Sequence, residues 1–136
     1  IMSDTKAKEL GLKPLARIVA TGVSGLSPEI MGLGPIEAVK KALGYAKMSV
    51  SDIDLFEINE AFAVQVLGSA RELGIDEDKL NVSGGAIALG HPFGMTGARI
   101  TATLLNNLAT HDKTFGVETM CVGGGQGMAM IVERLS

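Results

Sequence analysis

Tryptophan is absent from this chain of 136 residues, aromatics make up only 4% of it, and cysteine occurs once. With so few aromatic planes there is little for nucleobases to stack on, which argues against single-stranded nucleic-acid binding. One cysteine excludes an internal disulfide and a cysteine-only zinc site, and it suits a reducing compartment such as the cytoplasm. Long basic runs are missing too, and the formal net charge is −3, so neither a polyanion nor an anionic membrane is the expected partner. No stretch of 18 apolar residues occurs, and the N-terminus lacks the charged-then-apolar pattern of a signal peptide. The opening Ile1-Met2 is unlike a native start and suggests a piece of a longer chain. What remains is a composition typical of globular proteins, 46% hydrophobic and 20% charged, at a length that supports one domain with a real core.

Glycine is the one surplus, at 18 residues, roughly twice what a ~7% average usage gives. Much of it falls in 84–97 and 116–127, which marks tight loops. Along the chain, Ser3 can cap a short helix over 3–10 that Gly11 ends. Leu15–Ala20 reads as a strand, followed by a loop holding Gly22, Gly25 and Pro28. Pro35 suits the first turn of a helix, with Ile36, Val39, Leu43 and Ala46 at helical spacing. Leu55–Ile58 is a short apolar strand that ends at Asn59. A helix over Ala61–Leu73 buries Phe62, Val66, Leu67, Ala70 and Leu73 and stops at Gly74. Leu80–Ser83 is a further strand, Ala98–Leu108 a helix, and Thr114–Cys121 and Met128–Leu135 are closing strands. The alternation predicts an α/β fold with a mixed, mostly parallel sheet of about five strands covered by helices.

Three segments stand out at strand ends: Asn59-Glu60-Ala61-Phe62-Ala63, Gly84-Gly85-Ala86-Ile87-Ala88-Leu89-Gly90-His91-Pro92, and Cys121-Val122-Gly123-Gly124-Gly125. Ligands in open α/β folds gather at the carboxyl ends of strands, so an amide, an imidazole and a thiol far apart in sequence can share one crevice there. An amide offers donor and acceptor together and never titrates. An imidazole exchanges protons near neutrality. A thiol becomes a base where local donors or the imidazole draw its pKa down. Taken singly, each residue also has an ordinary structural role: Asn59 as a helix cap, His91 as a satisfied polar group, Cys121 as a small buried hydrophobe. His111, in a polar stretch, reads as surface. The 123–127 glycine run fits neither a dinucleotide fingerprint nor a P-loop, and Cys121 with His91 lacks the paired local ligands usual for zinc.

In order and wording the three segments resemble the C-terminal half of a thiolase, the family of acetyl-CoA acetyltransferases and 3-ketoacyl-CoA thiolases. A ketosynthase would carry a second His where Asn59 stands. Phe93 stands where many thiolases have Ile. The resemblance implies that the whole chain is a thiolase C-terminal domain, residues 1–13 being the tail of the preceding half and a linking helix. It implies acyl transfer by Claisen condensation of two acetyl-CoA, or the reverse thiolysis, in fatty acid metabolism. Asn59 would hold a water that binds a thioester oxygen. His91 would activate the acyl-accepting thiol and donate to the second thioester. Cys121 would move the C2 proton, and the Gly123 N–H would serve an oxyanion hole. Ala61 and Phe62 would contact substrate near the pantetheine arm.

No cofactor is implied, coenzyme A thioesters being the substrates, and no metal, nucleic acid or membrane. The family's acyl-carrying cysteine has no counterpart here. The expected partner is therefore an N-terminal thiolase half, on the same or a separate chain, docked on an exposed apolar face, with a homodimer or tetramer as the full assembly. Two other classes stay open: a non-enzymic partner subunit or remnant kept for assembly, and a Cys-His-Asn hydrolase with Cys121 as nucleophile.

Overall fold

The computed structural model describes all of residues 1–136. Its elements run α1 (Asp4–Glu9), β1 (Ala16–Gly25), α2 (Gly34–Ala46), β2 (Leu55–Ile58), α3 (Ala63–Leu73), α4 (Ala86–Leu89), α5 (Thr96–Thr110), β3 (Phe115–Val122) and β4 (Gln126–Arg134). The local signals behave as their chemistry dictates. Ser3 caps α1 by accepting from the Lys6 N–H at 3.2 Å, Pro35 sits in the first turn of α2, and Gly74 ends α3 in the left-handed region at φ 69°.

The four strands form one sheet in the order β1-β4-β3-β2. Here the structure corrects the expected topology. Only β2 with β3 is parallel, whereas β1–β4 and β3–β4 are antiparallel. For β3–β4 the cause is the tight turn between them. Gly124 and Gly125, both at φ 88°, reverse the chain in a conformation that favours glycine, and a short turn allows only antiparallel pairing. The fifth expected strand, Leu80–Ser83, shrinks to one bridge between Leu80 and Phe56, because Asn81 at φ 46° and Gly84 at φ 79° bend the backbone out of the sheet.

At the other edge β1 is longer than its sequence suggests and absorbs the loop expected at Gly22 and Gly25. Gly22 is there for close packing. A Cβ at this position would collide with the Ala38 carbonyl oxygen of α2 and lie 2.8 Å from the Ala42 nitrogen. Glycine content at Gly22 thus reports a helix pressed onto a strand, which composition alone cannot distinguish from a turn.

The sheet has two unlike faces. Helices α2 and α3 cover one, burying a 15-residue apolar core that includes Val39, Leu43, Phe56, Ile58, Val66, Val117 and Ile131. Helix α5 covers part of the other, where Leu104 and Leu108 meet Leu55 and Val132 in a cluster of only four buried residues. Beyond α5 the β1–β4 portion of the sheet is open, and the paired Val23 and Met128 are exposed. Two members of the expected α3 stripe are exposed as well, Phe62 at 68% and Leu67 at 43%, because the helix starts after Phe62 and its core face carries Val66, Ala70 and Leu73.

Candidate active site

Parallel strands β2 and β3 end side by side. Ile58 pairs with Thr119, and the Asn59 N–H donates to the Thr119 carbonyl at 3.0 Å, so Asn59 leaves the sheet where β3 runs on through Cys121 to the turn at Gly123. Along β2 the side chains alternate. Phe56 and Ile58 enter the apolar core, while Leu55, Glu57 and Asn59 turn toward α5. Asn59 is buried, and its Nδ2 lies 3.5 Å from both ring nitrogens of His91. The two side chains, 32 residues apart in sequence, therefore meet.

Two clamps bring the His91 loop to Asn59. Asn81 imitates a strand neighbour: its Oδ1 accepts from the Ile58 N–H at 2.8 Å and its Nδ2 donates to the Ile58 carbonyl at 2.9 Å. The same Nδ2 also donates to Glu60 Oε1 at 2.8 Å, and the second Glu60 oxygen accepts from the Ile87 N–H at 3.0 Å. Glu60 thus ties the end of β2 to the first turn of α4. Gly90 at φ 96° then turns the chain out of α4 toward His91. Thr96, at the start of α5, places its Oγ1 3.3 Å from His91 Nδ1, and Phe93 packs edge-on against the imidazole with centroids 5.0 Å apart.

Cys121 stands apart from this pair. Alternation along β3 sends it to the same side as Val117 and Thr119, opposite to Glu118 and to Asn59, and no hydrogen bond joins it to His91 or Asn59. It shares with them the carboxyl edge of the sheet. Its thiol is half-buried, and burial pushes its pKa up, opposed only by its own backbone N–H. The lowering by His91 that would favour a thiolate is not supplied within this chain. Gly123 is exposed, and the space where its side chain would be is open, so its backbone is accessible to a ligand. Phe62 is exposed and Ala61 half-buried beside Asn59, so both present apolar surface at this edge. The imidazole and the amide are brought together; the thiol and the glycine N–H sit at the same rim with no hydrogen bond to them.

Beneath the Asn59–His91 pair lies a charged layer that motif reading passed over. Glu57 and Glu118 are paired in register on adjacent strands, both buried, with a single cation, Arg99 of α5, above them. Arg99 Nη1 donates to Glu57 Oε1 at 2.7 Å and Nη2 donates to Asn59 Oδ1 at 3.2 Å. Burial pushes the Glu57 carboxyl up to about 7, with Arg99 opposing and Glu60 and Glu118 adding to the rise. Burial likewise pushes Glu118 up to about 7, against its hydrogen bond with Thr101 and the charge of Arg99.

Thr101 Oγ1 lies 2.7 Å from the Gly97 carbonyl and 2.8 Å from Glu118 Oε2, one hydroxyl between two acceptors. The layer thus sets two buried carboxyls against one guanidinium. The sequence did carry a signal for this layer, since Glu57 interrupts an otherwise apolar four-residue strand.

Two concavities flank this layer. One of about 600 Å³ lies along α5 and is lined by Ser83, Leu89, Met95, Arg99 and Asn106 among others. The other, of about 220 Å³, opens on the uncovered part of the sheet at Val23, Glu118, Met120 and Met128. Neither is lined by His91 or Cys121.

With that geometry in hand, comparison with known proteins gives a consistent result. The family described as "Thiolase, C-terminal domain" matches residues 12–134. An acetyl-CoA acetyltransferase of Escherichia coli strain K12 is 53% identical over 136 residues, which are the whole of this chain and 34% of that protein. A 3-ketoacyl-CoA thiolase of Klebsiella pneumoniae is 53% identical over 138 residues, spanning 99% of this chain and 36% of that one. Among solved structures, the Bacillus anthracis acetyl-CoA acetyltransferase superposes with a TM-score of 0.95 at 51% identity, over 98% of this chain and 34% of that one. The human mitochondrial 3-ketoacyl-CoA thiolase in complex with CoA gives 0.95 at 48% identity, with the same coverage of 98% and 34%. The chain therefore spans about a third of the length of the curated relatives it matches.

Proposed function

The chain belongs to the thiolase family, as its C-terminal domain, and from that premise we propose that it supplies the acceptor side of a site for acyl transfer between coenzyme A thioesters. The relatives are named as acetyl-CoA acetyltransferases and 3-ketoacyl-CoA thiolases, and one neighbour holds CoA. In the synthetic direction, an acyl group carried on a cysteine outside this chain is attacked by C2 of a second acetyl-CoA. That carbon loses a proton, a carbon–carbon bond forms, the enzyme thiol leaves as thiolate, and acetoacetyl-CoA departs.

In this scheme His91 deprotonates the acyl-accepting thiol and hydrogen-bonds the thioester oxygen as charge develops there. Asn59 holds a water on the same oxygen, Cys121 takes the C2 proton, and the Gly123 N–H stabilises the second oxyanion. Phe62 and Ala61 form apolar wall for the pantetheine arm. The N-terminal thiolase half docks over the open sheet face around Val23 and Met128 and completes the pocket, in an oligomer located in the cytoplasm. The observation that carries the proposal is the contact of Asn59 with His91 at the sheet's carboxyl edge.

The purified chain alone is expected to release no CoA from acetyl-CoA and to leave acetoacetyl-CoA intact. Joined to the N-terminal portion that its relatives carry, it should thiolyse acetoacetyl-CoA, followed by loss of the substrate's ultraviolet absorbance. Turnover by the isolated chain would overturn the division of labour, and inactivity of the joined protein would overturn the proposed function.

A further inference from the structure

An amide cannot by itself decide which of its two ends faces a ligand. For Asn59 the neighbours decide. Arg99 carries only donors, so the Asn59 atom 3.2 Å from Nη2 has to be the oxygen. The nitrogen is thereby turned to the opposite side, 3.5 Å from both nitrogens of His91. That distance is too long and too even for a single aligned bond, so the Nδ2 hydrogens remain available to a third group. Arg99 is itself immobilised. It is largely buried, with Nη1 committed to Glu57 at 2.7 Å, and Glu57 is almost wholly inaccessible.

We propose that Arg99 is a positioning residue for this site: braced on Glu57, its guanidinium fixes the Asn59 carbonyl oxygen and so presents the Asn59 nitrogen, a hydrogen-bond donor, beside His91. A planar fork can span two acceptors in fixed geometry, whereas an ammonium, with three rotatable donors on a flexible stem, imposes no such geometry. Asn59 then meets a thioester oxygen, or a water on it, with a donor already aimed, so no reorientation is needed as negative charge develops. This role rests on the site assignment proposed above.

The test uses the full-length protein, this chain with the N-terminal portion its relatives carry, and compares kcat and KM for acetoacetyl-CoA thiolysis. Arg99→Lys keeps a cation over Glu57 but loses the second arm. It is expected to lower kcat about 10- to 100-fold with KM changed less than about threefold, the pattern of an interaction made in the transition state. The double variant Arg99→Lys/Asn59→Ala should be no slower than Asn59→Ala alone, since both remove one contact. Asn59→Asp keeps Arg99, Glu57 and an acceptor toward the guanidinium but has no donor. It should melt within a few degrees of the parent and be as slow as Asn59→Ala.

Multiplying losses in the double variant, or Asn59→Asp at full rate, would overturn the positioning role while leaving the site assignment standing. Full activity of Asn59→Ala would instead remove the site assignment, and this role with it. Should Arg99→Lys fail to fold, Asn59→Asp at full rate still overturns the role.

Discussion

The two faces of this one sheet are built on different principles. Under α2 and α3 the layer is mainly apolar: 15 buried hydrophobic residues form it, and the polar Gln65 and Ser69 of α3 are buried without hydrogen-bond partners. Under α5 the apolar cluster has four members, and beside it lie the buried Glu57, Glu118 and Asn59 with the partly exposed Arg99 and Thr101. Burying ionisable groups costs stability unless each is paired. The first face supplies surplus that the second consumes. The polar layer, in turn, lies directly beneath the residues that carry the proposed chemistry. Changes on the α2 face should therefore appear as stability, and changes on the α5 face as rate or pH dependence.

The largest effect expected is that of His91→Ala on the α5 side. In the full-length protein it should reduce transfer by about 10⁴-fold or more, since the proposed base and oxyanion donor go together. The melting temperature should barely move, because His91 lies on a half-exposed loop. A loss below about a hundredfold would break the contrast. Cys121→Ser should next spare acylation, read by mass spectrometry of the acyl-enzyme, yet block condensation at proton transfer; an unimpaired condensation rate would remove Cys121 from that role.

On the opposite face, Ile131→Ala opens a cavity in the apolar core and should cost about 2–5 kcal/mol by chemical denaturation. The kcat of the molecules that remain folded should stay near parental. A comparable fall in kcat would mean that the two faces are not separable.

The smallest effect tests the charged layer. The carboxyls of Glu57 and Glu118 are raised when folded, so the native state holds their protons more tightly than the unfolded chain does. Their contribution to stability is complete below the unfolded pKa of about 4.5 and is lost as pH rises through about 7. Thermal midpoints should accordingly fall by a few degrees between pH 5 and pH 8 on account of these groups. Glu118→Gln, unable to ionise, should flatten part of that fall. An unchanged slope in the variant would show that Glu118 carries no proton in the native state.

Much of this architecture is legible before any coordinates. The apolar spacing of Val39 and Leu43, or of Ile100, Leu104 and Leu108, fixes which helix surface is buried, because period alone decides the face. Pro35, Ser3 and Gly74 mark helix ends through local backbone chemistry. The three motifs point to the strand ends, and the family likeness they carry agrees with the comparisons.

Pairwise geometry was not legible. The expected mixed, mostly parallel sheet is largely antiparallel, one pair of strands being reversed by a glycine turn, and Gly22 proved to be a helix contact rather than a loop. Phe62 and Leu67 fit an apolar stripe, yet they face outward.

Local residue order is enough to place the longer helices, to mark the strand ends that carry an amide, an imidazole and a thiol, and to identify the family. These properties follow from neighbours within a few residues or from the wording of a motif. It takes the packed fold to set Glu57 in register with Glu118, to bring Arg99 across 42 positions to the first and 40 to Asn59, and so to turn the Asn59 nitrogen toward His91. The reason is physical. Such contacts arise when strands and a helix from distant parts of the chain pack into one layer, and no local preference encodes which buried charge will meet which partner.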